Sequence, residues 1–253
     1  MPVSDHDPPP GKIGDGRWFA TTHWSVVLAA KEHDSSGAEA LERLCRTYWP
    51  PLYAYIRREG YDQPEAEDLT QSFFARLLEK DFLGRLKDQR GKFRSFLLTF
   101  LKHFLAEQRR NAGTQKRGGG QVIVSLNATA GDEGYLFEPV DELTPDQVFE
   151  RRWAQTVMQT ALDRLREGYA ARGQTALFER LQDYQPHEPG GESYAQLGVD
   201  FEMTEAAVKS AVQRMRQRHR ELLREEIAQT VSRPEEIEEE IRYFRALLGR
   251  ARG

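Results

Sequence analysis

Apolar residues recur along this chain in helical steps, in blocks separated by polar, glycine-containing or proline-containing breaks. The most regular block is Phe93, Phe96, Leu97, Phe100, Leu101, Phe104 and Leu105, at i, i+3, i+4, i+7, i+8, i+11 and i+12, which predicts an amphipathic helix over 92–110. Upstream, Trp24, Val27 and Leu28 open a short helix capped near Thr21 or Thr22, and Asp34-Ser35-Ser36-Gly37 breaks it. Ala40, Leu41, Leu44, Tyr48, Leu52 and Ile56 form the next stripe, bent at Pro50-Pro51. Pro64 to Lys80 predicts a third helix, with proline at its start, where the missing N–H costs little. Leu69, Phe73, Phe74, Leu77 and Leu78 supply its buried side, while Glu67, Asp68 and Gln71 gather on the polar side, a solvated face or a docking face.

After Arg117-Gly118-Gly119-Gly120 the pattern lapses. Gln121 to Thr144 reads as a linker whose short Val122-Ile123-Val124 run is too isolated to hold a sheet. Thr144-Pro145-Asp146 starts another helix, carried by Val148, Trp153, Val157, Ala161, Leu162 and Leu165, and Leu177, Phe178 and Leu181 mark one more. Between Glu192 and Glu226 lie two helices joined by a short turn. Ser193 caps the first, with Gln196 in capping-box spacing, and Thr204 caps the second. In that second helix Ala207, Val208, Ala211, Val212 and Met215 share one stripe, and Lys209, Ser210, Gln213, Arg214, Arg216 and Arg218 fall mainly on the rest. Such a helix suits the DNA major groove, although an ordinary hairpin with a solvated basic face fits the same spacing. A last helix follows Arg233-Pro234, with Ile237, Ile241, Phe244 and Leu248 on one side; it either folds back onto its own domain or serves as a regulatory or partner-binding tail. The expected fold is all-α, with two small helical domains joined by an acidic linker.

Composition narrows the class. The chain has 253 residues, of which 30% are charged, with mean hydropathy −0.70, and no apolar run long enough for a membrane span. The first twenty residues lack the basic-then-apolar order of a signal peptide and read as a flexible leader, and the single Cys45 excludes an internal disulfide. Both point to the cytoplasm. The net charge of −4 conceals segregation: ten Lys and Arg stand against Asp88 and Glu107 between Arg85 and Gly118, whereas Gly131 to Glu150 holds seven acids and no base. Phosphate attraction follows the local patch, within a Debye length of roughly 8–10 Å.

Catalytic chemistry is not indicated. The six histidines do not fall in metal-ligand spacing, one cysteine cannot build a zinc site, and Gly118-Gly119-Gly120 lacks the Lys-Ser/Thr pair of a phosphate-binding loop. No metal or cofactor is expected, and the chain reads as a binding protein rather than an enzyme. The bases Arg90, Lys92, Arg94, Lys102, Arg109 and Arg110, with His103, interleave with the aromatic stripe of 93–105, a combination suited to unpaired nucleic acid.

Taken together, these residues resemble the extracytoplasmic-function (ECF) group of bacterial RNA polymerase sigma factors, in the sigma-70 family, over roughly Trp24 to Glu226. AEDLTQSFFARLLE (66–79) is similar to the family's region 2.2 helix, which implies docking on the polymerase β′ clamp through Asp68, Gln71 and Phe74. FRSFLLTFLKHFLAEQRR (93–110) resembles regions 2.3 and 2.4, and the loop Asp88 to Lys92 the one that captures a flipped promoter base. The resemblance thus implies −10 contacts from Arg90, Lys92, Arg94, Phe96, Lys102, His103, Arg109 and Arg110. SYAQLGVDFEMTEAAVKSAVQRMR (193–216) is similar to the region 4.2 helix-turn-helix, implying −35 contacts from Thr204, Lys209, Ser210, Gln213, Arg214 and Arg218.

Departures from the family pattern include Phe96 for a usual Trp, His103 for a usual Asn, and Ala211 for an Arg, which implies one lost DNA contact. Gly198 and Gln196 imply a loosened first helix in the motif, and 186–191 reads as an insertion. The implied organisation is a leader (1–20), a region 2-like domain (21–118), a linker (119–144), a region 4-like domain (145–231) and a C-terminal extension (232–253). Implied partners are core RNA polymerase, through its β′ clamp and β flap, and promoter DNA, with an anti-sigma protein or another regulator left open. Two other classes compete with this reading: a stand-alone helix-turn-helix regulator and a non-DNA adaptor.

Overall fold

The computed structural model describes residues 23, 35–79, 91–115, 143–182 and 193–249. Among them the chain is helical throughout, with eight α-helices and no strand. The all-α expectation therefore holds for the described residues. The expected helix at 24–28, most of the acidic linker and residues 80–90, with the start of the expected loop at Asp88, lie outside them.

Helix α1 spans Ser35–Arg58, and Pro50 and Pro51 lie inside it. The expected break at Ser35-Ser36-Gly37 is instead the helix's first turn. Serine and glycine cost up to about 1 kcal/mol each in a helix, too little to end one that the stripe beyond them carries into the core. Residues 51–56 are buried on every side, so this end of α1 is the central rod of the molecule. Helix α2 (Gln63–Leu77) starts at a capping box: Asp62 accepts from the Glu65 N–H at 2.9 Å, and the Glu65 carboxylate accepts from the Asp62 N–H at 3.4 Å. Helix α3 (Phe93–Gln115) buries Phe93, Leu97, Leu101, Phe104 and Leu105 of the periodic series and half-buries Phe96 and Phe100, with Leu98 buried besides.

Helix α4 (Pro145–Ala170) is unbroken for 26 residues, roughly 39 Å, and it starts at the expected Thr144 cap. Its first half (Phe149, Trp153, Ala154, Val157) packs into the core that α1, α2 and α3 build, and its second half (Ala161, Leu165, Tyr169) into another. Helices α5 (Thr175–Gln182), α6 (Tyr194–Asp200) and α7 (Glu205–Gln229) complete that second core. Helix α7 runs opposite to α4. Its Val208 to Leu222 stretch lies in the second core, while Ile227 reaches the first, and Arg164 bonds Glu225 and Glu226 at 2.7 and 2.6 Å. Helices α4 and α7 are thus each long enough to serve both cores.

A 3-10 turn at Pro234–Glu236 leads into helix α8 (Ile237–Gly249). It folds back, but onto the first core rather than onto the helix-turn-helix it follows. Phe244 meets Trp153 edge-on at 6.0 Å between centroids, with Ile241, Leu247 and Leu248 packed alongside. No helix among the described residues is long and apolar enough to cross a membrane.

Candidate nucleic-acid interface

Two basic helices carry the expected DNA contacts, and their surroundings differ. In the α6–α7 hairpin, Ser193 accepts from the Gln196 N–H at 3.1 Å and Thr204 from the Ala207 N–H at 3.2 Å, so both expected caps are made. The turn between them is tight. The Met203 N–H donates to the Gly198 carbonyl at 2.8 Å, and a Cβ on Gly198 would sit 2.6 Å from the Met203 carbonyl oxygen. Glycine at 198 thus permits the close approach that closes the hairpin, and it does not loosen the helix as expected.

On α7, Val208, Ala211, Val212 and Met215 are buried, and Thr204, Lys209, Ser210, Gln213, Arg214 and Arg218 are exposed. Ser210 and Gln213 lie opposite the buried stripe, flanked by Lys209 and Arg214. Ala211, where loss of a DNA contact was expected, belongs to the packing face, so its small side chain subtracts nothing from the outer surface. Lys209 bonds Glu205 at 2.7 Å and overlies the Tyr194 ring, and Arg218 bonds Glu221 at 3.3 Å; exposed pairs of this kind are weak and open to exchange. Arg214 and Arg218 also rim a cleft of about 410 Å³ together with Arg172, over an apolar floor that includes Leu177 and Met203. Arg172 was not foreseen, since the α4–α5 turn that places it carries no motif.

The cations of α3 are largely engaged. Arg94 is 3% exposed; its Nε donates to Glu240 at 2.5 Å and its Nη1 to Glu150, with Trp153 and Tyr243 against the guanidinium at 5.0 and 4.2 Å from the ring centroids. Burial works against the Arg94 charge, but the bonds and charges of Glu240 and Glu150 outweigh it and raise its pKa. Burial also raises the pKa of Glu150, with Arg94 opposing. Lys92 bonds Glu239 at 2.7 Å and Glu240 at 3.2 Å. Lys102 bonds Asp146 at 2.6 Å, and Arg109 bonds Glu59 and the Tyr61 hydroxyl. Phe96 is half-buried, its ring stacked on Phe100 and beside Phe93. His103 and Arg110 are exposed, and Arg90 lies outside the described residues. None of these acids was singled out in the sequence as a partner of α3, because they lie 44 to 147 residues away in the chain.

On α2, Asp68 is exposed and Gln71 half-buried, but Phe74 is 6% exposed and stacked on Trp49 at 5.9 Å, which makes it part of the first core. Cys45 packs against the same core, and burial pushes its thiol up to about 11, leaving it largely protonated.

Residues 44–114 match the family model of Sigma-70 region 2. The matched segment takes in most of α1, all of α2 and nearly all of α3. It supports a sigma factor of the sigma-70 family, acting in transcription initiation. No curated protein and no solved structure matches the chain significantly.

Proposed function

We propose that this chain is a transcription initiation factor of the ECF type, which binds core RNA polymerase and directs it to particular promoters. The observation that carries the reading is a pairing: a Sigma-70 region 2 match over 44–114 and, on the same chain, a capped helix-turn-helix with Lys209, Ser210, Gln213 and Arg214 exposed opposite its buried stripe. In this reading the outer face of α2, with Asp68 and Gln71, docks on the β′ clamp, and Phe74 supports that face from within. Helix α3 opens and holds the −10 strand through its basic residues, and α7 enters the major groove at the −35 element. Melting costs base stacking, and capture of an unpaired base returns roughly 1–3 kcal/mol per stacked base.

Run-off transcription with purified core polymerase tests the reading. Promoter-specific transcripts that depend on this chain are the expected result. Absence of transcripts from any genomic fragment, together with a stable footprint by the chain alone, would favour a self-sufficient helix-turn-helix regulator instead.

A further inference from the structure

The N-terminus of α3 is held from the far end of the chain. The Phe93 N–H, at the first turn of α3, donates to the Thr230 carbonyl at 2.9 Å. Gly91, at φ +101°, turns its N–H to the Ser232 hydroxyl at 2.8 Å. First-turn amides of a helix need acceptors from outside its hydrogen-bond ladder, and for Phe93 the segment after α7 supplies one. Glu236 fixes that segment by accepting from the Ser232 and Arg233 N–H groups at 3.1 and 3.2 Å. Helix α8 then lays Glu239 and Glu240 against Lys92 and Arg94, and the Tyr243 ring lies on the face of the Arg94 guanidinium.

These are the elements of nucleic-acid binding, supplied from within. Carboxylates sit at the positive end of a helix, where a phosphate would be favoured. An aromatic ring stacks on an arginine as an unpaired base would. Glu240 is fully buried, yet the Glu239 side chain is 63% exposed and Tyr243 is 36% exposed, so the outer half of the contact meets solvent and is open to competition.

We propose that α8 is an intramolecular competitor for nucleic acid: in the free chain it occupies the entrance of α3, and single-stranded DNA must displace Glu239 and Tyr243 to reach Lys92 and Arg94. The proposal rests on the reading of α3 as the DNA-holding helix. It implies weak DNA binding by the free chain and stronger binding once polymerase or DNA lifts α8.

The test uses the full chain without polymerase and a fluorescein-labelled single strand of mixed sequence, read by anisotropy at low salt. Glu239→Gln is expected to tighten binding roughly tenfold. Glu235→Gln makes the same change of charge on a residue with no partner on α3 and controls for net charge; it should leave binding within about twofold. Hydrogen exchange across 237–249 should quicken when the oligonucleotide is added. Equal affinities for wild type and Glu239→Gln, with α8 still protected at saturating oligonucleotide, would overturn the competitor role and leave the DNA role of α3 standing. No binding by any of the three proteins would overturn the DNA role itself, and the competitor with it.

Discussion

Helices α3 and α7 carry similar charge. Both set basic side chains on a helix whose opposite side is packed in a core, and both would be expected to meet DNA. In α7 the cations and hydrogen-bonding side chains expected to meet DNA point outward, and Lys209 and Arg218 pair with acids on the same helix. In α3 the leading cations meet acids from other helices, and Arg94 is inside the protein altogether. Charge density in a sequence is therefore a poor measure of available charge. What decides availability is whether a partner from elsewhere in the chain has already removed the cation from water.

The difference can be broken or sharpened experimentally, and the largest effect is expected at Arg94. Arg94→Ala would leave Glu150 buried without its cation and Glu240 with Lys92 alone, at about 3–5 kcal/mol, read as a lowered urea midpoint. Arg214→Ala on exposed α7 should shift stability by no more than about 0.5 kcal/mol. Equal losses at the two sites would refute the contrast.

Next comes His23, which packs beside Tyr48 and Phe93 and whose Nδ1 lies 3.2 Å from the Tyr48 hydroxyl, at the foot of α3. Burial, with the Arg43 charge adding to it, lowers its pKa from 6.5 to about 4. The unfolded chain therefore binds this proton more readily, so the stability from a neutral His23 is present above pH 6.5 and is lost as the pH falls toward 4. The loss should be roughly 2–4 kcal/mol. His23→Phe should flatten this part of the stability profile; an unchanged slope would place the titration elsewhere.

On the α7 side, Gly198→Ala should cost about 1–3 kcal/mol, since backbone must move to admit the methyl group. A smaller loss is expected for Thr204→Ala, about 1 kcal/mol from the cap. Smallest in stability is Lys209→Glu with Arg214→Glu, which should stay folded with an unchanged circular dichroism spectrum and yet lose duplex binding. Retained DNA association by that double variant would remove α7 from the interface.

Much of this was legible along the chain because helix formation is local. The 3.6-residue spacing of Phe93 to Leu105 and of Val208 to Met215, and the caps at Ser193, Thr204 and Thr144, depend on residues within a few positions of one another. The outward face of α7 followed from the same periodicity. Three other matters did not, because each depends on where the chain travels after a helix ends. The spacing of α2 puts Phe74 on the buried side, but it does not show that the ring stacks on Trp49. Gly198 looked like a weakness until the turn brought the Met203 carbonyl against it. Glu239 and Glu240 looked like an acidic helix start, and only the return of α8 across the first core set them on Lys92 and Arg94, 147 and 146 residues away. Periodicity records which side of a helix is apolar, whereas the identity of what covers the polar side is a property of the folded path.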